Sequence, residues 1–198
     1  MNVLIVYTHP VKLSFNRAIL ERVETGLLGE GHQVRIADLY AEDFQPAMTA
    51  EDFAQFENRP MPEDVQREQA RVEWSDAIVL IFPYWWWSLP AMLKGWIDRV
   101  MSYGWAWIDP AKPEDGYLKD RKLLVITTAG ASARALAKRG YDTAFHTQLH
   151  VGVCEYCGFN DVTTRMFHEV HHETPEETRL QYLDEAEKLA RSWLSKPD

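Results

Sequence analysis

The chain has 198 residues, 46% of them hydrophobic and 26% charged, with a formal net charge of −9. That size and apolar share fit one globular domain over residues 1–198, and the acidity excludes general nucleic-acid binding, so any phosphate must be gripped locally by amides and a few side chains. No apolar run reaches spanning length and residues 1–7 read as a strand, not a cationic leader, so a cytoplasmic protein without membrane insertion is expected.

Asn2 to Tyr7, NVLIVY, has the composition of a strand buried on both faces. The loop from Thr8 to Leu13 leads to Ser14-Phe15-Asn16, which opens a helix through about Gly29 with Phe15, Ile19, Val23 and Leu27 on one face. Gln33 to Leu39 returns as a second strand. An acidic, irregular stretch follows, Tyr40 to Pro62, with a short helix starting at Thr49. A helix from about Pro62 to Trp74 leads into the central strand, Ala77 to Phe82, stopped by Pro83. Tyr84, Trp85, Trp86 and Trp87 come next, and Ser88-Leu89-Pro90 reads as a helix start with Ser88 as N-cap and the helix ending near Met101. Gly104 to Asp120, with Pro110, Pro113 and Gly116, reads as a loop. A fourth strand, Leu123 to Thr128, runs into Ala129-Gly130. A helix between Asp142 and Cys157, a fifth strand from Asp161 to Phe167 and a last helix from Pro175 to Leu194 complete the chain, with Thr174 and Glu177 as a capping box.

Strands alternating with helices imply right-handed crossovers and a doubly wound parallel sheet. The loop after the first strand has no glycine, so the dinucleotide fingerprint is absent and the five-strand flavodoxin-like order 2-1-3-4-5 fits better. In that order the loops after the first, third and fourth strands meet at the carboxyl edge of the sheet, where such folds bind ligands. Four consecutive aromatics there are too much apolar surface to leave in water without a purpose. A flat aromatic ligand is expected. Ser14, Phe15 and Asn16 open a helix whose free amides favour a phosphate; the plain alternative is an ordinary N-cap.

Taken together, VYTHP followed by SFN, DLYAEDFQP, FPYWWWSLPAMLKGWIDRV, GWAW, ITTAG, YCGF and HETPEETR span nearly the whole chain. With these motifs it resembles the NAD(P)H:quinone oxidoreductase family of flavodoxin-like flavoproteins. The resemblance implies a flavin at the sheet edge and a homodimer with active sites at the subunit interface. The ring would lie along Pro83, Tyr84, Trp85, Trp86 and Trp87, though Tyr84 and Trp85 also suit simple core packing. Thr127, Thr128, Ala129 and Gly130 would bring amides to its pyrimidine side, and His9 would support the phosphate. Trp105 and Trp107 match aromatic positions of the substrate pocket. The implied chemistry is ping-pong hydride transfer, NAD(P)H reducing the flavin at N5 and a quinone or similar electrophile then taking its place.

The family places paired glycines after the two threonines, whereas here the first is Ala129, and of its tyrosine and histidine in the next segment only Tyr141 falls nearby. Tyr141 is thus the catalytic candidate, as a hydrogen-bond donor, with His146 second. The short segment between Tyr40 and Gln69 favours FMN; Arg179, at a position that contacts the adenine half in FAD-binding relatives or else pairs with Glu176, keeps FAD open. Lys138 and Arg139 either contact an NADPH phosphate or form a solvated charge pair. Two motifs read as decoys. His168 to His172 matches HExxH off a helix, so no metal is expected, and Cys154 and Cys157 match CxxC without a second pair. Rival readings are a flavodoxin-like electron carrier, which lacks its phosphate loop here, and a flavin-binding regulatory subunit of a potassium efflux system.

Overall fold

The computed structural model describes residues 1–57, 59–108 and 118–195. Five parallel strands form one sheet in the order β2-β1-β3-β4-β5: β1 (Asn2–Tyr7), β2 (Gln33–Asp38), β3 (Ala77–Pro83), β4 (Lys122–Thr128) and β5 (Asp161–Phe167). This is the expected flavodoxin-like arrangement. Every residue of central β3 is buried, as a strand covered on both faces requires, while edge strands β2 and β5 are partly exposed.

Alternation along the strands sorts the core into two layers. Val3, Ile5, Val79, Ile81, Leu124 and Ile126 face α1 (Phe15–Gly29) and α6 (Glu176–Trp193). Leu4, Val6, Leu80, Phe82, Leu123 and Val125 face the opposite layer. That layer holds α2 (Glu63–Trp74), α3 (Ala91–Val100), α4 (Ala133–Arg139), α5 (Tyr141–Phe145) and a π-helical run, His146–Glu155. No helix among the described residues is long and apolar enough to cross a membrane.

The structure differs from the sequence reading at three helix boundaries. Ser88 is not an N-cap. Its amide donates to Trp85 O at 3.1 Å and its hydroxyl to Gln148 Oε1, so α3 starts later, with Pro90 in the cap position. The Thr174–Glu177 capping box does not form, because Thr174 Oγ1 donates to Glu169 O at 2.6 Å and accepts from His171 N; Pro175 is the cap residue. A capping interaction of that kind instead opens the 3₁₀ helix Ala50–Phe56, where Thr49 N and Oγ1 both donate to Asp52 Oδ2. Finally, the single helix expected between Asp142 and Cys157 is α5 plus the π-helical run, preceded by α4, which buries only Leu136 and so leaves no apolar period to read. Of the loop expected over 104–120, Pro110, Pro113 and Gly116 lie outside the described residues.

The irregular stretch after β2 is tied down by one cation. Buried Arg99 donates to Asp52 Oδ1 at 3.0 Å, to Gln45 O at 2.7 Å and through two nitrogens to Asp64. Burial works against ionising Asp64, but the hydrogen bond and charge of Arg99 outweigh it and hold its carboxyl below the usual range. Removing Arg99 strands fully buried Asp52 as an unpaired charge. Arg99→Ala is expected to cost about 3–5 kcal/mol in urea unfolding, and Arg99→Lys to recover only part, since an ammonium lacks the planar fork. Because the folded pKa of Asp64 is depressed, its contribution is present above the unfolded carboxylate pKa and lost as pH falls through the lower folded value, so Asp64→Asn flattens the acid limb of a stability–pH curve.

Candidate functional site

Parallel register sets the site. β3 pairs with β4 so that Phe82 lies beside Thr127 and Pro83 beside Thr128, and Tyr84 N donates to Thr128 O at 2.8 Å. The carboxyl end of β1 reaches the same level, with Thr8 N on Ile81 O at 3.0 Å. A cleft of 280 Å³ opens at this edge, lined by His9, Phe15, Asn16, Pro83, Tyr84, Trp85, Thr128, Gly130, Val170, His171 and Arg179.

One side of the cleft is the start of α1. The hydroxyl of Ser14 accepts from Arg17 N at 3.1 Å and lies 3.1 Å from Tyr7 Oη, so it serves as an N-cap and is absent from the cleft lining. As first-turn groups, the amides of Phe15 and Asn16 have no intrahelical acceptor. Asn16 is buried, and its Nδ2 donates to Thr128 Oγ1 at 2.9 Å, joining α1 to the end of β4. Its Oδ1, with Thr8 Oγ1 and Thr127 Oγ1, has no hydrogen-bond partner among the described residues although buried. Orphaned polar atoms at one sheet edge fit a polar ligand seated there. His9 Nδ1 accepts from Val11 N, and burial lowers its pKa, so the neutral ring carries its proton on Nε2 as a donor. Arg179, on the first turn of α6, is exposed and makes no ion pair among the described residues; the pairing with Glu176 is not formed.

The opposite side is the aromatic turn. Ser88 N returns to Trp85 O, and between them Trp86 and Trp87 have φ of 49° and 60°. Two successive left-handed residues make the turn type usually built from Asn-Gly, and each non-glycine residue there costs about 1–2 kcal/mol. Trp87 is compensated: its ring stacks on Tyr141 at 4.2 Å and 5°, and Tyr84 meets it edge-on. Tyr84, whose hydroxyl donates to Tyr141 O at 3.0 Å, has its pKa pushed up to about 12 by burial, with smaller contributions from Asp142 and Tyr141, so it stays a neutral donor. Trp86 is 92% exposed and has no ring partner among the described residues. Backbone strain and an exposed indole thus coincide at the tip of the turn, and Trp86 and Trp87 are not part of the cleft lining.

Ala129 fits without strain, since it is not among the residues at positive φ; its amide donates to Phe167 O and its carbonyl accepts from Val170 N. Thr127 is buried with its hydroxyl unpartnered. Trp107 donates to Met101 O and lines a second cavity of 580 Å³, which adjoins the turn through Ser88, Leu89 and Gln148; Trp105 instead donates to Glu73 Oε1 at 2.8 Å and is not part of its lining. His146 lies apart from the cleft, stacked on His150 at 4.8 Å beside a 340 Å³ cavity. Residues 168–172 are not helical, and no group of three His, Cys, Asp or Glu among the described residues is placed to hold a metal. The Cys154 and Cys157 thiols are free and buried, with burial pushing both pKa values up to about 12, so they are inert packing groups. Val170 and His171 were missed as cleft residues. The signal was available, because β5 borders β4 and its following loop must reach the same edge.

A family model described as the flavodoxin-like fold matches residues 1–190. A Haemophilus influenzae protein named as an uncharacterized NAD(P)H oxidoreductase is 34% identical over 172 residues, covering 86% of this chain and 85% of that protein. The ribosyldihydronicotinamide dehydrogenase (quinone) of Rattus norvegicus is 27% identical, covering 98% of this chain and 93% of its own. Among solved structures, the NAD(P)H:quinone oxidoreductase from Methanothermobacter marburgensis has a TM-score of 0.88 at 29% identity, covering 100% of this chain and 98% of that one.

Trp86→Gly removes the steric cost at the turn tip and is expected to raise the unfolding free energy of the unliganded protein by about 1 kcal/mol. A loss of stability in denaturant titration would mean that the indole packs on the fold.

Proposed function

The chain belongs to the flavodoxin-like fold family, among its NAD(P)H:quinone oxidoreductases, and we propose that it is a cytoplasmic, flavin-dependent enzyme passing two electrons from NAD(P)H to quinones or similar electrophiles. The observation that carries this reading is the meeting, on one cleft, of a helix N-terminus, an unpaired arginine and the aromatic turn. A phosphate would take the amides of Phe15 and Asn16, with His9 Nε2 and Arg179 as further donors. The flat ring would lie against Pro83, Tyr84 and Trp85 on one side and Thr128 to Gly130 on the other, with the unpartnered carboxamide oxygen of Asn16 within the same wall.

FMN is the proposed flavin, and FAD the alternative. With Arg179 in the same cleft as Phe15 and Asn16, its guanidinium suits a phosphate there and does not require an adenine. When bound, the flavin supplies the centre that accepts hydride from the donor and delivers it to the acceptor. The chain's own part is orientation and proton handling. The Trp87–Tyr141 stack borders the cleft through the cleft-lining Tyr84, which meets Trp87 edge-on and donates to Tyr141 O, and the Tyr141 hydroxyl is the proposed donor for a developing oxyanion. We also propose a homodimer, in which a second copy covers the 580 Å³ cavity, its exposed Phe53 and Phe56, and the exposed Tyr103 stacked on Phe56, completing a substrate pocket bordered by Trp107.

The direct test is the visible spectrum of purified protein before and after anaerobic NADPH, with released flavin identified by chromatography. A flavin band that bleaches and returns on adding a quinone is expected; a colourless protein that takes up neither flavin overturns the reading. Asn16→Ala, which cuts the link from α1 to Thr128, should weaken flavin retention measured by fluorescence of the released cofactor. Tyr141→Phe keeps the stack and removes only the hydroxyl, so flavin content should hold while kcat falls about tenfold. Unchanged turnover would remove Tyr141 from the reaction.

A further inference from the structure

Ten lysines and arginines of this acidic chain are ion-paired among the described residues. Arg17, Arg22, Arg71, Arg99, Arg165 and Arg191 each lie against carboxylates. Lys12, Lys119, Arg179 and Lys188 have no ion pair among the described residues, and helix α4 gathers three more such cations on one element. Arg134, Lys138 and Arg139 are all exposed, and none has an ion pair or side-chain hydrogen bond among the described residues. Three uncompensated cations on one seven-residue helix reverse the local sign of a molecule with net charge −9.

Helix stability does not account for them. Cations in a last turn complement the helix dipole by a few tenths of a kcal/mol, which covers Lys138 and Arg139, but Arg134 sits in the first turn, where the dipole disfavours a cation. The nearby carboxylate of Asp142 is turned elsewhere, accepting from Thr143 N at 2.8 Å.

Their placement points at the site. α4 follows directly on the Thr128–Gly130 wall of the cleft, with Ser132 as its N-cap. At 1.5 Å per residue its last turn stands roughly 9 Å along the axis from its start. Gly140, in the left-handed conformation at φ 71°, then reverses the chain, and the next residue, Tyr141, stacks on Trp87. Arg139 is therefore two residues, no more than about 7 Å between Cα atoms, from Tyr141, whose stack on Trp87 adjoins the cleft-lining Tyr84. α4 packs through Leu136 into the layer opposite α1 and α6, so this cationic face is distinct from the phosphate grip of Phe15, Asn16 and Arg179.

We propose that Lys138 and Arg139, assisted by Arg134, form a subsite for a phosphomonoester, the 2′-phosphate of NADPH, and so make NADPH the preferred donor over NADH. This rests on the oxidoreductase reading above. A phosphomonoester carries close to two negative charges at neutral pH. An arginine fork beside a lysine point charge suits it, and NADH presents nothing to either.

The test is the double variant K138A/R139A, whose positions are exposed and tolerate truncation. With one acceptor held constant, the ratio of kcat/KM for NADPH to that for NADH is expected to fall at least about tenfold, mainly through KM for NADPH. A second readout needs no turnover: calorimetric titration with adenosine 2′,5′-bisphosphate and with 5′-AMP. The wild type should bind the bisphosphate about tenfold more tightly and the variant should bind the two alike. A ratio unchanged within about twofold, or a wild type that does not discriminate between the two nucleotides, overturns the subsite. A wild type that discriminates between them but oxidises neither donor removes the proposed function and leaves the subsite standing.

Discussion

The parallel pairing of β3 with β4 is the constraint on which the rest depends. β3 is buried along its whole length, so a one-residue slip would send every side chain into the opposite layer and misfit both packed layers. That register ends with Pro83 level with Thr128, and the hydrogen bond from Tyr84 N to Thr128 O carries the chain out of the sheet there. Asn16 reaches the same threonine from α1. The cleft is the gap left where these three segments leave the sheet together.

Against this rigid edge the aromatic turn is a strained part. Left-handed backbone at both Trp86 and Trp87 would not persist on propensity alone. The stack of Trp87 on Tyr141, the edge contact with Tyr84 and the Ser88–Gln148 hydrogen bond hold it, and they do so by recruiting the segment after α4. Gly140 is what allows that segment to turn back at all. The tip residue Trp86 stays in solvent, so the structure accepts local strain in order to present an indole.

Electrostatics divide the same edge. Most arginines are absorbed by carboxylates, in buried form at Arg99 and at the surface elsewhere. Arg179 lies within the cleft and the α4 cations stand beyond it, on opposite layers of the sheet. A ligand carrying more than one phosphate would find its counter-charges separated in the same way.

The sequence by itself determined the strands, their order and the three loops that meet, because buried parallel strands must be short runs of branched apolar residues and the missing glycine fingerprint left one common topology. It also marked Asn16, Pro83 to Trp87 and Thr127 to Gly130 by position alone. Tertiary structure decided what a one-dimensional pattern does not carry. Ser88 and Thr174 looked like caps, but their hydroxyls were claimed by Gln148 and by the loop after β5. α4 escaped notice because its exposed face has no apolar period, and the helix expected between Asp142 and Cys157 was legible while its π-helical winding was not. Val170 and His171 joined the cleft only because β5 lies beside β4, and Tyr141 met Trp87 only because Gly140 reverses the chain. Local composition fixes which residues make strands and helices, whereas side-chain partners are fixed by distances across the sheet, which exist only once it has formed.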